Sequence, residues 1–314
     1  MKPKIFVAVS TFAEYGDAPL NLLKESGFPY FLNPLGRRLG REEIIKMGKD
    51  SEGVIAGVEP YDDYVLDHMP KLRCISRCGV GIDNISIKKA QERGIEIRNT
   101  PDVVTQPVAE LTVAMIFDLM RKLSYHTILL KSKRWEKSPG FLLAGKKVGI
   151  LGLGRIGKKV AEIMLKLDTE VYGTDLFPDL KWAANSNVNI VPFEELISLS
   201  DILTIHVSIN RGEPLRIGEK EIRGMKKGAI LINTARGNII DEMALYDALK
   251  EKHLGGAALD VFPEEPYKGK LCELDNIVLT PHVATLTKES RIQMELEATS
   301  NLINFFRPSS REFV

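Results

Sequence analysis

The stretch Lys147-Val-Gly-Ile-Leu-Gly-Leu-Gly-Arg-Ile-Gly157 constrains the fold more than any other part of this chain. A short apolar run of β type enters a G-x-G-x-x-G turn, and a helical pattern, Lys158–Lys166, leaves it. Val171-Tyr-Gly-Thr-Asp175 then reads as a second buried strand ending in an acid. Each glycine has a physical task in such a strand–turn–helix unit. Gly152 permits the tight turn, Gly154 lets a pyrophosphate approach the backbone, and Gly157 lets the helix lie close to the sheet. The helix N-terminus beyond Arg155 and Ile156 presents N–H groups and a positive dipole end to phosphates.

Asp175 lies about twenty residues beyond the turn, where a carboxylate can accept hydrogen bonds from ribose hydroxyls. It would repel a 2′-phosphate, so the pattern predicts NAD rather than NADP. Two nearby motifs carry less. Gly152–Lys159 resembles a phosphate-binding P-loop, but Lys159 stands where Ser or Thr would hold Mg²⁺. Tyr246-Asp-Ala-Leu-Lys250 has a Tyr-x-x-x-Lys spacing that an exposed helix face explains.

The rest of the chain alternates strand and helix. Ile5–Val9, Tyr30–Asn33, Gly53–Ala56, Cys74–Arg77 and Glu96–Asn99 read as short buried strands of a first parallel layer. A second layer has strands at 147–151, 171–174, 202–206, 229–233, 256–259 and 277–279. Between them, an apolar helix is expected from Val108 to about Leu130. The final helix, Lys288–Phe306, has no strand of the second layer to serve and is expected to return to the first.

The predicted fold class is therefore α/β, with two doubly wound parallel-sheet domains. A flavodoxin-like substrate domain is expected over residues 1–100 and 286–314, and a Rossmann NAD domain over 101–285. Two chain crossings between them would form a hinge, with a substrate in the cleft.

Length and charge narrow the partners. At 314 residues the chain can build two cores. Its net charge of +1 points to no nucleic acid. No apolar run predicts a membrane span, and the N-terminus reads as a first strand. Cys74, Cys78 and Cys272 lack the spacing of a metal site, so no metal is expected, and reduced thiols suit a cytoplasmic protein.

Arg236, Glu265 and His282 each follow a predicted strand of the second layer. Ligands of open α/β sheets bind at the carboxyl ends of strands. Hydride transfer to a carbonyl needs an acid for the forming alkoxide, and histidine suits that role near neutral pH. A carboxylate bonded to an imidazole favours its charged form, and an arginine fork can hold a substrate carboxylate. Singly, each residue has a bland reading as a salt bridge or solvated loop group. At three strand ends of one nucleotide-binding sheet, they read as a site.

With the glycine turn, several segments together resemble the D-isomer-specific 2-hydroxyacid dehydrogenase family over nearly the whole chain. They are Arg77-Cys-Gly-Val-Gly-Ile-Asp-Asn84, Asn99-Thr-Pro101, Val108-Ala-Glu110, Met225–Gly237, Ala257–Pro266 and Thr280-Pro-His282. The resemblance implies that Arg236 binds the substrate carboxylate and carbonyl, while Glu265 and His282 form the acid–base pair. It implies substrate contacts from the backbone of Gly79, Val80 and Gly81, and cofactor contacts from His206, Thr234, Ala235 and Asp260, the last at the nicotinamide carboxamide. It also implies a homodimer acting on a small anionic 2-hydroxy or 2-keto acid.

The phosphoglycerate dehydrogenases of this family are the nearest likeness. Arg77 would then meet a substrate phosphate, with Lys137 as a second cation on a segment reaching across the dimer. The chain departs from them at Ala56-Gly57, where an arginine is expected, and at Ser208 and Ala284; no regulatory tail is expected after Val314. The alternatives are a hydroxypyruvate or glyoxylate reductase, and a non-enzymatic NAD(H)-sensing protein like the C-terminal-binding corepressors.

Overall fold

The computed structural model of the chain describes residues 2–208 and 215–307. The chain divides into two compact units, Met1–Val104 with Leu286–Val314, and Thr105–Thr285.

The first unit is built on five strands, β1 (Ile5–Val7), β2 (Tyr30–Leu32), β3 (Gly53–Ala56), β4 (Cys74–Arg77) and β5 (Glu96–Arg98). All pair in parallel in the order β2-β1-β3-β4-β5, the flavodoxin-like arrangement. β1 and β3 are buried throughout, as continuous apolar runs covered by helices on both faces should be. The helix Lys288–Phe306 belongs to this unit. Its Ala298 and Leu302 pack with Ile5, Val7 and Cys74, and the Ser76 hydroxyl donates to the Ala298 carbonyl at 2.7 Å.

The second unit has seven parallel strands, β6 (Lys147–Leu151), β7 (Glu170–Thr174), β8 (Asn189–Ile190), β9 (Ile202–Ile205), β10 (Ile230–Asn233), β11 (Gly256–Leu259) and β12 (Ile277–Leu279). Their order is β12-β11-β10-β9-β6-β7-β8. The order reverses between β6 and β9, which makes the end of β6 the switch point where a doubly wound sheet binds ligands. The sequence pattern does not reveal β8. It is a two-residue edge strand, too short to show any period.

The long apolar helix expected from Val108 to Leu130 is broken. One helix runs Thr105–Arg121 and a second Leu123–Lys131. Lys122 between them is left-handed, with φ of 54°. The Asp118 carboxylate caps the second helix, accepting from the Ser124 N–H at 2.7 Å and from its hydroxyl. The Met120 carbonyl is taken by the Phe141 N–H at 2.8 Å. Tertiary and capping bonds thus override a sequence with no local breaker.

Among the described residues, no helix is long and apolar enough to cross a membrane. Tyr246 and Lys250 lie on one helix, Glu242–Lys250, with the ammonium 5.4 Å from the ring centre, so that pair is a helix-surface contact.

Candidate active site

Because the seven strands are parallel, their carboxyl ends share one edge of the sheet. The predicted residues of this unit gather there. The glycine turn follows β6, Asp175 follows β7, and His206 follows β9. Thr234, Ala235 and Arg236 follow β10, Asp260 follows β11, and His282 stands three residues beyond β12.

The glycine turn shows why each glycine is required. Gly152 has φ of 95°, and a Cβ on it would lie 2.8 Å from the His206 carbonyl carbon. A Cβ on Gly157 would lie 1.9 Å from the Gly152 carbonyl oxygen, so only glycine lets the helix Arg155–Leu165 start this close to the turn. A Cβ on Gly154 would meet nothing within 4 Å, which leaves open space at the helix N-terminus. A first helical turn carries N–H groups without intrahelical acceptors, and a pyrophosphate suits them. Asp175 braces the turn from the next strand. Its Oδ2 accepts the Leu153 N–H at 2.7 Å and its Oδ1 the Phe177 N–H at 2.9 Å. The residues present therefore fit a dinucleotide.

His206 is half-buried as a residue, but its Nδ1 is enclosed and has no hydrogen-bond partner among the described residues. Its Nε2 lies 2.9 Å from the Thr204 hydroxyl. Burial holds its pKa down at about 3, so the ring is neutral near pH 7. Thr234 is buried, with its hydroxyl 3.1 Å from that of Thr112.

Arg236 sits in an Asx turn. The Asn233 Oδ1 accepts the Ala235 N–H at 3.0 Å, and its Nδ2 donates to the Arg236 carbonyl at 2.8 Å. No sequence motif above includes a role for Asn233, although asparagine commonly bonds its own backbone two residues on. The Arg236 guanidinium donates to the Ala235 carbonyl at 2.7 Å. A Cβ on Gly237 would lie 2.0 Å from the Phe262 carbonyl carbon, so glycine here lets the Arg236 loop press against the loop carrying Glu265.

Glu265 and His282 are brought together from loops after different strands. The His282 Nδ1 lies 2.9 Å from Oε2 and 3.1 Å from Oε1 of Glu265. The His282 side chain is 47% and the Glu265 side chain 37% exposed, so the pair is open to a ligand and is also screened by solvent. His282 has φ of 56°, the left-handed region that non-glycine residues seldom adopt. Asp260, fully buried, holds that conformation. Its Oδ1 accepts the Thr280 hydroxyl at 2.5 Å and the Val283 N–H at 2.8 Å, and its Oδ2 accepts the Ala284 N–H at 2.9 Å.

This edge can hold a dinucleotide at the switch point and present an imidazole braced by a carboxylate beside an arginine. Residues 113–284 match the family described as D-isomer specific 2-hydroxyacid dehydrogenase, NAD binding domain. The chain belongs to the D-isomer specific 2-hydroxyacid dehydrogenases. Its cofactor is NAD, and it is an NAD-dependent oxidoreductase of the D-2-hydroxyacid class.

Relatives of the dehydrogenase carry more than one substrate name. It is 38% identical over 275 residues to a glyoxylate reductase of Thermofilum pendens, covering 84% of this chain and 80% of that one. It is 35% identical over 283 residues to a D-3-phosphoglycerate dehydrogenase of Archaeoglobus fulgidus, covering 85% of this chain and 54% of that one. The crystal structure of a glyoxylate reductase from Paecilomyes thermophila superposes with a TM-score of 0.86 at 26% identity, covering 100% of this chain and 97% of that one.

The predicted substrate residues of the first unit lie at the carboxyl end of β4. Gly79 has φ of 124° and exchanges two hydrogen bonds with Thr100. Its N–H reaches the Thr100 hydroxyl at 2.8 Å, and its carbonyl accepts the Thr100 N–H at 3.1 Å. Val80 is exposed and Gly81 half-buried. The Arg77 guanidinium folds onto the Cys78 carbonyl of its own loop. Lys137, in the second unit, is exposed.

Proposed function

We propose that this dehydrogenase interconverts a short D-2-hydroxy acid and its 2-keto acid, with His282 as the acid–base group. The observation that carries the reading is the His282 Nδ1 held between both oxygens of Glu265. With Nδ1 so engaged, Nε2 is the nitrogen that gives the proton to the keto oxygen in reduction and takes it back in oxidation. Glu265 orients the ring, and Arg236 holds the substrate carboxylate by a bidentate contact. NAD, held at the glycine turn, would supply the hydride chemistry at C2.

In this reading Gly152, Gly154, Arg155, Ile156, Gly157 and Asp175 hold the pyrophosphate and ribose. His206, Thr234, Ala235 and Asp260 line the rest of the cofactor. Arg77 and the backbone of Gly79, Val80 and Gly81 contact the substrate. In this reading residues 1–100 with 286–314 form the substrate domain, and 101–285 the NAD domain.

The test is NADH oxidation followed at 340 nm with glyoxylate, hydroxypyruvate, pyruvate and phosphohydroxypyruvate. At least one is reduced by the wild type. His282→Ala lowers kcat by roughly 10²–10⁴-fold with NADH affinity retained. No turnover of any 2-keto acid, or full activity in the variant, overturns the reading.

The working enzyme is a homodimer in this proposal. Leu123, Ile128, Leu130, Trp135, Phe141 and Leu142 are exposed large apolar side chains concentrated between residues 123 and 142. Trp135 is 79% and Leu142 76% exposed, more apolar surface than a monomer usually leaves in one segment. A second copy of the chain would cover it. Sedimentation gives a dimer for the wild type and a monomer for Trp135→Glu with Leu142→Glu. A monomeric wild type removes the proposal. Free thiols at Cys74, Cys78 and Cys272 support a cytoplasmic location.

A further inference from the structure

Glu59 is a charged residue with no part in the steps above. It follows β3 at the carboxyl edge of the five-stranded sheet, and only 2% of it is exposed. A carboxylate has about four lone-pair sites to satisfy, and a buried one left short of partners is costly. Among the described residues, the Glu59 carboxylate accepts one hydrogen bond, from the Gly57 N–H to Oε2 at 2.7 Å, and makes no ion pair. It lies flat over Gly57, where a Cβ would sit 3.1 Å from Oε1 and 3.2 Å from Oε2.

The loop carrying Glu59 is fastened to the loop that follows β4. Asn84 Nδ2 donates to the Glu59 carbonyl at 2.5 Å, and the Asn84 carbonyl accepts the Tyr61 N–H at 2.7 Å. The Cys78 N–H donates to the Ala56 carbonyl at 2.8 Å. The Cys78 thiol, pushed up to about 12 by burial, also feels Glu295, Arg291, Arg77 and Glu59. Two acids and two bases therefore act at the residue before Gly79, and their charges offset. A phosphate carries about −1.5 to −2 charge and needs a net cationic site. A hydroxyl needs only an acceptor.

We propose that Glu59 reads the substrate tail, its Oε1 accepting a hydrogen bond from a donor on C3 of the 2-keto acid and its charge excluding a phosphate there. The inference rests on the reading above that the Gly79–Gly81 loop binds substrate. A site built to bond a hydroxyl rejects the analogue that lacks it, because the buried acceptor is then left unpaired. Like charge on the ligand raises the same penalty.

The experiment measures kcat/KM with NADH for hydroxypyruvate, pyruvate and phosphohydroxypyruvate, with glyoxylate as the substrate that has no C3. The wild type prefers hydroxypyruvate over pyruvate by about ten- to a hundredfold, and phosphohydroxypyruvate falls below pyruvate. Glu59→Gln raises phosphohydroxypyruvate relative to pyruvate by about tenfold or more. Equal use of hydroxypyruvate and pyruvate by the wild type overturns the inference even if the variant fails to fold. So does a wild type that prefers phosphohydroxypyruvate, or a variant with unchanged ratios. Glyoxylate separates the two levels. Turnover of glyoxylate without discrimination at C3 removes Glu59 alone, whereas no turnover of any of the four removes the redox reading itself.

Discussion

The carboxylate of Asp260 accepts the backbone N–H of Ala284 at 2.9 Å. With Thr280 and Val283 bound to its other oxygen, Asp260 closes the loop around His282 and keeps that residue in the left-handed region. Alanine at 284 is compatible with this closure, since the bond uses its N–H and the side chain is buried. His282, the proposed acid–base group, thus depends on a carboxylate that bonds its loop backbone.

Asp260→Asn is therefore expected to lower kcat by roughly ten- to a hundredfold, because an amide nitrogen would face donors where an oxygen accepts them. The measurement is kcat beside NADH affinity from fluorescence titration. A loss confined to NADH affinity would show that Asp260 serves only the cofactor.

Asp175 has two tasks that a substitution can separate. It braces the glycine turn through Leu153 N–H, and in the proposed cofactor site it presents charge to the adenosine ribose. The wild type is expected to prefer NADH over NADPH by on the order of tenfold or more. Asp175→Asn keeps an acceptor and removes the charge, so it narrows that preference. Asp175→Ala narrows it as well and also costs about 1–3 kcal/mol of stability, from the unpaired Leu153 N–H. Equal use of both cofactors by the wild type would discard the charge argument.

Gly157→Ala forces a methyl to 1.9 Å from the Gly152 carbonyl oxygen, and neither backbone can move without opening the turn. Overpacking of this kind costs about 1–3 kcal/mol. The expected result is a lower melting temperature together with weaker NADH binding. A variant that melts and binds like the wild type would mean that the helix and turn can separate freely.

His206 makes stability depend on pH. Burial depresses its folded pKa to about 3, against roughly 6.5 unfolded. The unfolded chain then binds the extra proton, so stability is full above about 6.5 and is lost as pH falls toward the folded value. The slope from this one ring is at most about 1.4 kcal/mol per pH unit. Urea unfolding at pH 7, 6 and 5 should show the decline, and His206→Gln should flatten it. An equally steep decline in the variant would assign it to other groups.

Much of this protein is legible in sequence because the relevant patterns are local. Spacing alone marks Gly152, Gly154 and Gly157 as a turn between strand and helix, and apolar runs mark the strands of both sheets. Arg236, Glu265 and His282 stand out because each lies in a loop that follows such a run, and parallel strands bring their ends to one edge. What the tertiary structure decided involves contacts between residues distant in sequence. The helix break at Lys122 depends on Phe141 taking the Met120 carbonyl, which no helical period reveals. The left-handed His282 depends on Asp260, and the near-complete burial of Glu59 depends on how two strand-end loops close together. Periodicity and turn chemistry act over a few residues. Burial of a charge and the direction of a hydrogen bond exist only once separate strands are aligned.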